Sequence, residues 1–390
     1  MSNILDLPRE ILELIFSHLV TTPTKWGHPL HRASFEAYTA AHLRLVCRAW
    51  ADWLYEHHLY RTLTFDSASR SLAFIDYLGR RSRKLPRAHC QYLEVDFIWA
   101  YHHPPQSPQR DMINPDILET LLELFSDTIV TLDLKFVDFF TLPTQTIKAI
   151  GRLTNLYNLH LNLSRWPSGD LTFNEADPAC FNSLILEAQA LRSLRLALPV
   201  SLPCKSGLMA ASAYPAITHL DVEVANLRPD VILGISIALK PSLKFLSVHD
   251  FGRKTDAQLL VPVYETLRET IEGLSVNSIS SLTPILSFNF PKLRFFAVHE
   301  WLVSIVDLLH WEMFYKAPIE MIAINSASGK ESADGFTVDT FSPLPQLSKL
   351  VFMNAPQNYS PAPMYLIACE ARHIKCIYLD HDEMSLIMPS

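Results

Sequence analysis

The chain has 390 residues, about half apolar and a fifth charged, so it can fill a large core and wholesale disorder is excluded. A formal net charge of −7 argues against a nucleic-acid binder, which needs a basic surface to neutralise phosphates. Ten glycines stand against twenty-six prolines, and there is no G-x-G-x-x-G, P-loop, G-x-S-x-G or H-E-x-x-H, which argues against a phosphate-cradling fold.

The first predicted element is "LPREILELIF", from Leu7 to Phe16. Pro8 suits a first helical turn, where its missing N–H costs nothing. Leu7, Ile11, Leu12, Ile15, Phe16 and Leu19 recur at three- and four-residue steps and form one apolar stripe. Glu10 and Glu13 fall on the other side. A helix this short is marginal alone and needs neighbours. A polar stretch, Thr21 to Arg32, leads to a second amphipathic segment in which Leu43, Val46, Cys47, Trp50 and Leu54 share a face. Trp53 falls a turn below Trp50.

"LPREILELIFSHL" followed by "LRLVCRAWADWLYEHHLYRTLTF" resembles the F-box, a short helical module that binds a Skp-type adaptor. The resemblance rests on Leu7-Pro8, Glu10-Ile11, Ile15, Leu19, the run Leu45-Val46-Cys47-Arg48, Trp50 and the trailing Leu59 to Phe65. It implies that Leu7, Pro8, Ile11, Ile15, Leu19, Val46, Cys47 and Trp50 meet the adaptor or hold the helices that do. The family's connection between the two halves is shorter; here an insertion of about residues 20–41 carries Trp26, Phe35 and Tyr38. The helical domain is therefore expected over 1–58. Its character is similar to that of fungal F-box proteins.

From Tyr60 onward an apolar-x-x-apolar-x-apolar pattern returns twelve times. It reads "YRTLTF" (60), "CQYLEV" (90), "IVTLDL" (129), "LYNLHL" (156), "LRSLRL" (191) and "ITHLDV" (217). It continues as "LKFLSV" (243), "IEGLSV" (271), "LRFFAV" (293), "IEMIAI" (319), "LSKLVF" (347) and "IKCIYL" (374). Alternation over such short runs predicts strands with one buried face. Helix-like segments stand between them: "PDILETLLELF", "NSLILEAQAL", "PDVILGISIAL", "AQLLVPVYETLRETI", "WLVSIVDLLHWEMFY" and "APMYLIACEA". The fold class is α/β, an all-helical N-terminal module followed by a β/α solenoid over 59–390. "AYHHPPQSPQRD" (100–111) and "NSASGKESADG" (325–335) are predicted as exposed loops.

The units resemble degenerate leucine-rich repeats, lacking the asparagine expected after the third apolar position; Ser164 stands there in one unit. In such a solenoid the strands line a concave face, and the residues between the apolar positions point out of it. Those positions include Glu94, Asp96, Asn162, Asn277, Asn325, Met353, Tyr378 and Asp380. Candidate target contacts among them are Asp133, Lys135, His160, Arg195, Asp221, Glu223, His249 and His299. The acidity of the first half points to a target segment of basic character. Solvated strand residues without a partner are the plainer reading of any single one.

The pairs His57-His58 and His102-His103 lack carboxylate or cysteine partners at ligand spacing, so no metal and no cofactor is expected. "DHDE" (380–383) reads as a solvated edge. Cys47, Cys90, Cys180, Cys204, Cys369 and Cys376 form no C-x-x-C pair and read as buried thiols of a reducing compartment. The apolar runs fall short of a membrane span and no signal peptide is legible, so a cytoplasmic or nuclear protein is expected. The Asn-x-Ser triplets at Asn162 and Asn358 are then chance matches. No Ser/His/Asp or Cys/His set stands out, so no enzyme is expected. The expected role is substrate recognition in an SCF-type ubiquitin ligase: a Skp-type adaptor, and through it a cullin, at one end, and an unknown target protein on the repeats. An interaction scaffold without ligase role is the alternative.

Overall fold

The computed structural model describes residues 8–20, 38–81, 87–100, 111–137, 139–164, 177–198, 214–224, 227–249, 257–301, 303–330, 336–356 and 358–379. The chain forms two units, Met1–Leu191 and Arg192–Ser390. The boundary falls at the start of the motif "LRSLRL".

Unit 1 opens with helix α1 (Arg9–Val20), a helical stretch at 38–43 and helix α2 (Arg48–His57). Strands β1 (Thr62–Phe65), β2 (Tyr92–Ile98), β3 (Thr131–Phe136) and β4 (Asn158–Leu163) follow. Helices α3 (Ala68–Gly79), α4 (Pro115–Leu124) and α5 (Thr144–Gly151) lie between them, and α6 (Pro178–Glu187) comes after β4. The strands pair in chain order and in parallel, and each apolar motif position meets its counterpart. Leu63, Leu93, Leu132 and Leu159 form one ladder; Phe65, Val95, Leu134 and Leu161 form another.

Unit 2 repeats the plan with β5 (Ser193–Leu196), β6 (His219–Glu223), β7 (Phe245–His249), β8 (Gly273–Val276), β9 (Phe295–Val298), β10 (Met321–Asn325), β11 (Lys349–Met353) and β12 (Lys375–Leu379). Its helices are α7 (Pro229–Leu239), α8 (Val261–Leu267), α9 (Ile305–Leu309), α10 (Glu312–Tyr315) and α11 (Pro363–Ala371). Neighbouring strands are again parallel. All twelve motifs therefore become strands.

One device recurs at nine of the strand entries. The carbonyl of the second motif residue accepts N–H groups from two successive residues of the next motif. Arg61, Gln91 and Val130 do this in unit 1; Arg192, Thr218, Lys244, Glu272, Arg294 and Glu320 do it in unit 2, at 2.7–3.1 Å. The first apolar position of each motif, from Cys90 to Ile374, is buried beneath the strand entry. Ladder residues meet helix side chains through aromatic contacts: Phe65 with Phe74, Phe296 with Phe314, and Phe352 with Tyr365. Full burial of each such side chain contributes about 1.5–3 kcal/mol.

Several helices begin at a proline, whose fixed φ suits the first turn. Pro115, Pro178, Pro229 and Pro363 do so, the first two behind the side-chain caps Asn114 and Asp177. Three stretches depart from expectation. Residues 257–271 split into a 3-10 turn and α8, and 301–315 split into α9 and α10. The predicted loop at 325–335 begins inside the fold: Asn325, Ser326 and Ser328 are buried, Asn325 because its amide spans to the His299 carbonyl and the Ala327 N–H. Residues 331–335 of that stretch, and 101–110 of the other predicted loop, lie outside the described residues.

The last strand also shifts. Leu350 pairs with Cys376 rather than with Ile377, its motif counterpart. A one-residue slip exchanges the two faces of a strand. Tyr378, expected to point outward, instead stacks on Phe352 at 5.7 Å, and Ile377 and Leu379 join the opposite face.

Gly273 is held by packing rather than by backbone freedom. A Cβ there would lie 2.2 Å from the Phe245 ring. At an ordinary strand position Gly→Ala stabilises by about 0.5–1 kcal/mol. At this one Gly273→Ala is expected to destabilise unit 2 by about 1–3 kcal/mol, because the ring must move; urea unfolding followed by far-UV circular dichroism reads the sign.

Candidate functional site

The N-terminal helices share a small core. Phe16 of α1 meets Trp53 of α2 edge-on at 5.9 Å, and Trp53 meets Trp50 at 6.2 Å. Leu12, Val20, Ala40 and Leu54 complete it, with Ile15, Leu43, Cys47 and Leu59 at its margin. The second amphipathic segment is not one continuous helix: helical backbone at 38–43 gives way to a turn, and α2 starts afresh at Arg48. Cys47 is the reason, since its extended backbone and its Sγ, which accepts from the Trp50 N–H, cap α2.

That break divides the residues which the F-box resemblance singled out. Pro8 is exposed, Ile11 is 40% exposed and Leu19 is exposed, while Ile15 is half-buried. Val46, in the turn, is 56% exposed. Trp50 is only 4% exposed and belongs to the core that holds the helices, not to their outer face. Leu7 lies outside the described residues, as do Trp26, Phe35 and most of the insertion. Leu14 and Leu45 are large, apolar and exposed, and enlarge the outer face. Leu45 stands within the matched run; Leu14 falls off the stripe, so periodicity does not mark it.

His58 ties α1 to α2. Its ring packs on Phe16 at 4.2 Å and on Trp53 at 4.7 Å, and its Nε2 lies 3.3 Å from a Glu13 carboxylate oxygen. Burial pushes its imidazole below the ordinary histidine value; Glu13 pulls upward, and Arg61 and His57 push downward.

The strand face of unit 1 carries a closed polar network. Lys135 donates to Glu94, Asn162 Nδ2 donates to Asp133 at 2.6 Å, and Tyr92 Oη donates to Asp133 at 3.2 Å. His160 Nδ1 stands 3.6 Å from the same carboxylate. Burial alone would raise the Asp133 carboxyl, but hydrogen bonds from His160 and Asn162 and the charges of His160 and Lys135 hold it below the usual carboxylate range. Burial likewise opposes the charge on Lys135, and Glu94 overcomes it and pushes that ammonium up. Asp133 and Glu94 are each only 7% exposed. The acidity legible in the first half is thus neutralised within the sheet and is not an open acidic surface. Ser164, at the position of the missing asparagine, bridges strands by donating to Asp96 at 2.5 Å and accepting from the Phe97 N–H at 3.1 Å.

In unit 2 the corresponding face changes character along the sheet. Arg195 Nε lies 3.7 Å from Asp221, whose other oxygen is 3.1 Å from His249 Nε2. The His249 and His299 rings are 6.0 Å apart, and His299 Nε2 lies 3.1 Å from Ser275 Oγ. Glu223 is half-buried at the end of β6. His219 stacks flat on Phe245 at 4.5 Å, and burial, then the Lys244 charge, lowers its pKa. Farther on the face is apolar and buried: Phe245, Phe295, Ala297, Met321, Ala323, Val351, Met353 and Leu379 form one cluster. Sequence reading missed this cluster, although its signal is present in "LRFFAV" and "IEMIAI", where the intervening positions are apolar too.

Along the chain His57 has only Glu56 beside it, and the fold supplies a third donor. Glu56 is next to it and His89 arrives ahead of β2, with one ligand atom from each within 4.8 Å of the others. His102, His103 and the run at 380–383 lie outside the described residues. Cys90, Cys180 and Cys369 are buried thiols as expected, whereas Cys47 and Cys376 are half-buried and Cys204 is outside the described residues. No helix among the described residues is long and apolar enough to cross a membrane.

With this geometry in place, comparison with known proteins bears on the N-terminal module alone. Residues 4–66 match the family model described as F-box-like, and the N-terminal helices are an F-box-like domain. The matched range takes in α1, α2 and β1, so it reaches into the first strand. No curated protein matches the chain.

Two outcomes follow from the charges. A histidine whose folded pKa is depressed favours the folded state above its unfolded value of about 6.5, and that advantage is lost as pH falls. Between pH 7.5 and 5.5 the native chain is therefore expected to lose more stability than His58→Leu, read as the shift in urea midpoint. Asp133→Ala, which removes the buried acceptor of Asn162 and Tyr92 and the charge facing His160, is expected to destabilise by about 1.5–3 kcal/mol. Asp221→Ala, in a more exposed pair, is expected to cost less than about 1 kcal/mol. Equal effects in denaturant titration would contradict the contrast.

Proposed function

We propose that the protein is a substrate receptor of an SCF-type ubiquitin ligase. Its F-box-like domain docks on a Skp-type adaptor, which brings a cullin, while the repeats hold a target protein. The observation that carries this reading is the exposed apolar set Ile11, Leu14, Leu19, Leu45 and Val46 on a domain that matches the F-box-like model. Helices whose inner faces are already filled by Phe16, Trp50 and Trp53 gain nothing inside the chain from such residues. An apolar groove on a partner would bury them.

The protein does no chemistry in this reading. Binding two partners at once raises the effective concentration of the target beside the ubiquitin-charged enzyme. The target contacts belong on the strand faces, with His249, His299, Arg195 and Glu223 more accessible than Asp133. The work suits the reducing cytoplasm or nucleus.

The experiment is co-purification of the full chain with a Skp-type adaptor. Ile11→Asp combined with Val46→Asp changes exposed positions only, so the helical core should survive, as circular dichroism will verify. The native chain is expected to retain the adaptor and the folded double variant to lose it by at least tenfold. A folded native chain that retains none would end the ligase reading.

A further inference from the structure

The cluster of Glu56, His57 and His89 has no part in the docking face or the strand ladders. It joins the last two residues of α2 to the segment that enters β2. Backbone bonds fix this meeting: the His89 N–H donates to the Glu56 carbonyl at 3.2 Å, and the Gln91 and Tyr92 N–H groups donate to the Arg61 carbonyl at 2.9 and 3.0 Å. The Arg61 side chain adds a bond to Gln91 at 2.9 Å. The donors are therefore brought together by the strand-entry device and not by the chance lie of surface side chains.

Their spacing is near that of a ligand set. Glu56 Oε2 and His57 Nε2 are 3.5 Å apart, and one atom of each of the three residues lies within 4.8 Å of the others. Tetrahedral zinc, with bonds of about 2.0–2.1 Å, holds its donors about 3.4 Å apart. One pair is already at that separation, and a His89 nitrogen lies within 4.8 Å of both. The His57 and His89 rings stand edge to face at 5.5 Å. All three residues are half-buried, so an ion can reach them and still lose part of its water.

The donor types select the metal. Two imidazoles and one carboxylate suit zinc, whereas calcium and magnesium ask for oxygen donors throughout. Three protein ligands leave a fourth position for water. We propose that Glu56, His57 and His89 form a zinc site that clamps the F-box-like helices to the first repeats. Bound metal stabilises the folded state by mass action, since the three donors are assembled only there.

The test uses the full chain, stripped with a chelator and desalted, then titrated with zinc chloride against a chromogenic competitor. The native chain is expected to take up one equivalent, and Glu56→Gln/His57→Gln/His89→Gln to bind it at least tenfold more weakly. Zinc is expected to raise the melting temperature of the native chain and leave that of the variant unmoved. Cobalt(II) loading of the native chain gives a reading independent of any variant: a d–d spectrum of tetrahedral nitrogen and oxygen ligation, with no thiolate charge-transfer band. Equal zinc uptake by the folded variant, absence of uptake by the native chain, or a thiolate band pointing to the cysteines would each overturn the site.

Discussion

A parallel strand cannot satisfy its own backbone, and everything in this protein depends on how each strand lends its carbonyls to the next. The recurring acceptor at the strand entry, from Arg61 onward, takes two N–H groups from the following repeat and so sets its register. Once the register is set, the leucine and valine positions stack without further specification, and the intervening residues fall on the other face. The twelve motifs differ widely in sequence, and yet within each unit the motif positions stay aligned as far as β11, with one irregularity beyond Val95. β12 slips by one residue, and Cys376 and Tyr378 replace leucine-like residues on the helix side. Tyr378 finds its compensation in the ring of Phe352.

The strands were legible because alternation over four to six residues is a local signal, visible without knowledge of neighbours. The helices were less so. Pro115–Leu124 shows clear periodicity and Pro229–Leu239 stands out as an apolar run, whereas Ala68–Gly79 and the shorter Thr144–Gly151 are not among the predicted segments. The break at Cys47 was hidden because the apolar spacing runs through it; a thiol acting as a cap leaves no trace in a hydrophobic pattern. Of the docking face, the residue types were legible and the exposure was not, since Trp50 and Val46 share a stripe in sequence and part company in space. The polar partners of Asp133 come from β4 and from Tyr92 of β2, and His89 reaches His57 from the entry to β2. Such pairs depend on register between distant segments, which no single stretch of chain reveals.

The two strand faces show two ways of using positions that point away from the helices. In unit 1 buried charges are matched with one another, so that Lys135, His160 and Asn162 are committed to Glu94 and Asp133. Burying ionised groups is costly, and matched partners offset the cost without adding much net stability. What such a network contributes is definition: a carboxylate that accepts from three side chains tolerates few other arrangements. In unit 2 many of the same positions are apolar, among them Phe245, Phe295, Met321, Val351 and Met353, and Ala297 and Ala323 leave little relief between the larger Phe295 and Met321.

The order of pairing has a consequence for synthesis. Every strand whose partner is described pairs with its neighbours in sequence, the nearest such residues being 22 apart, as Gly273 and Phe295, and the farthest 39, as Tyr92 and Thr131. Contacts so close in sequence need only short loop closures. A nascent chain can therefore add one strand at a time to a finished edge as it leaves the ribosome, with the amino-terminal helices already assembled before the first repeat appears. Growth of this kind has a direction, and a fault in one repeat spoils the template for those still to emerge while sparing those already built.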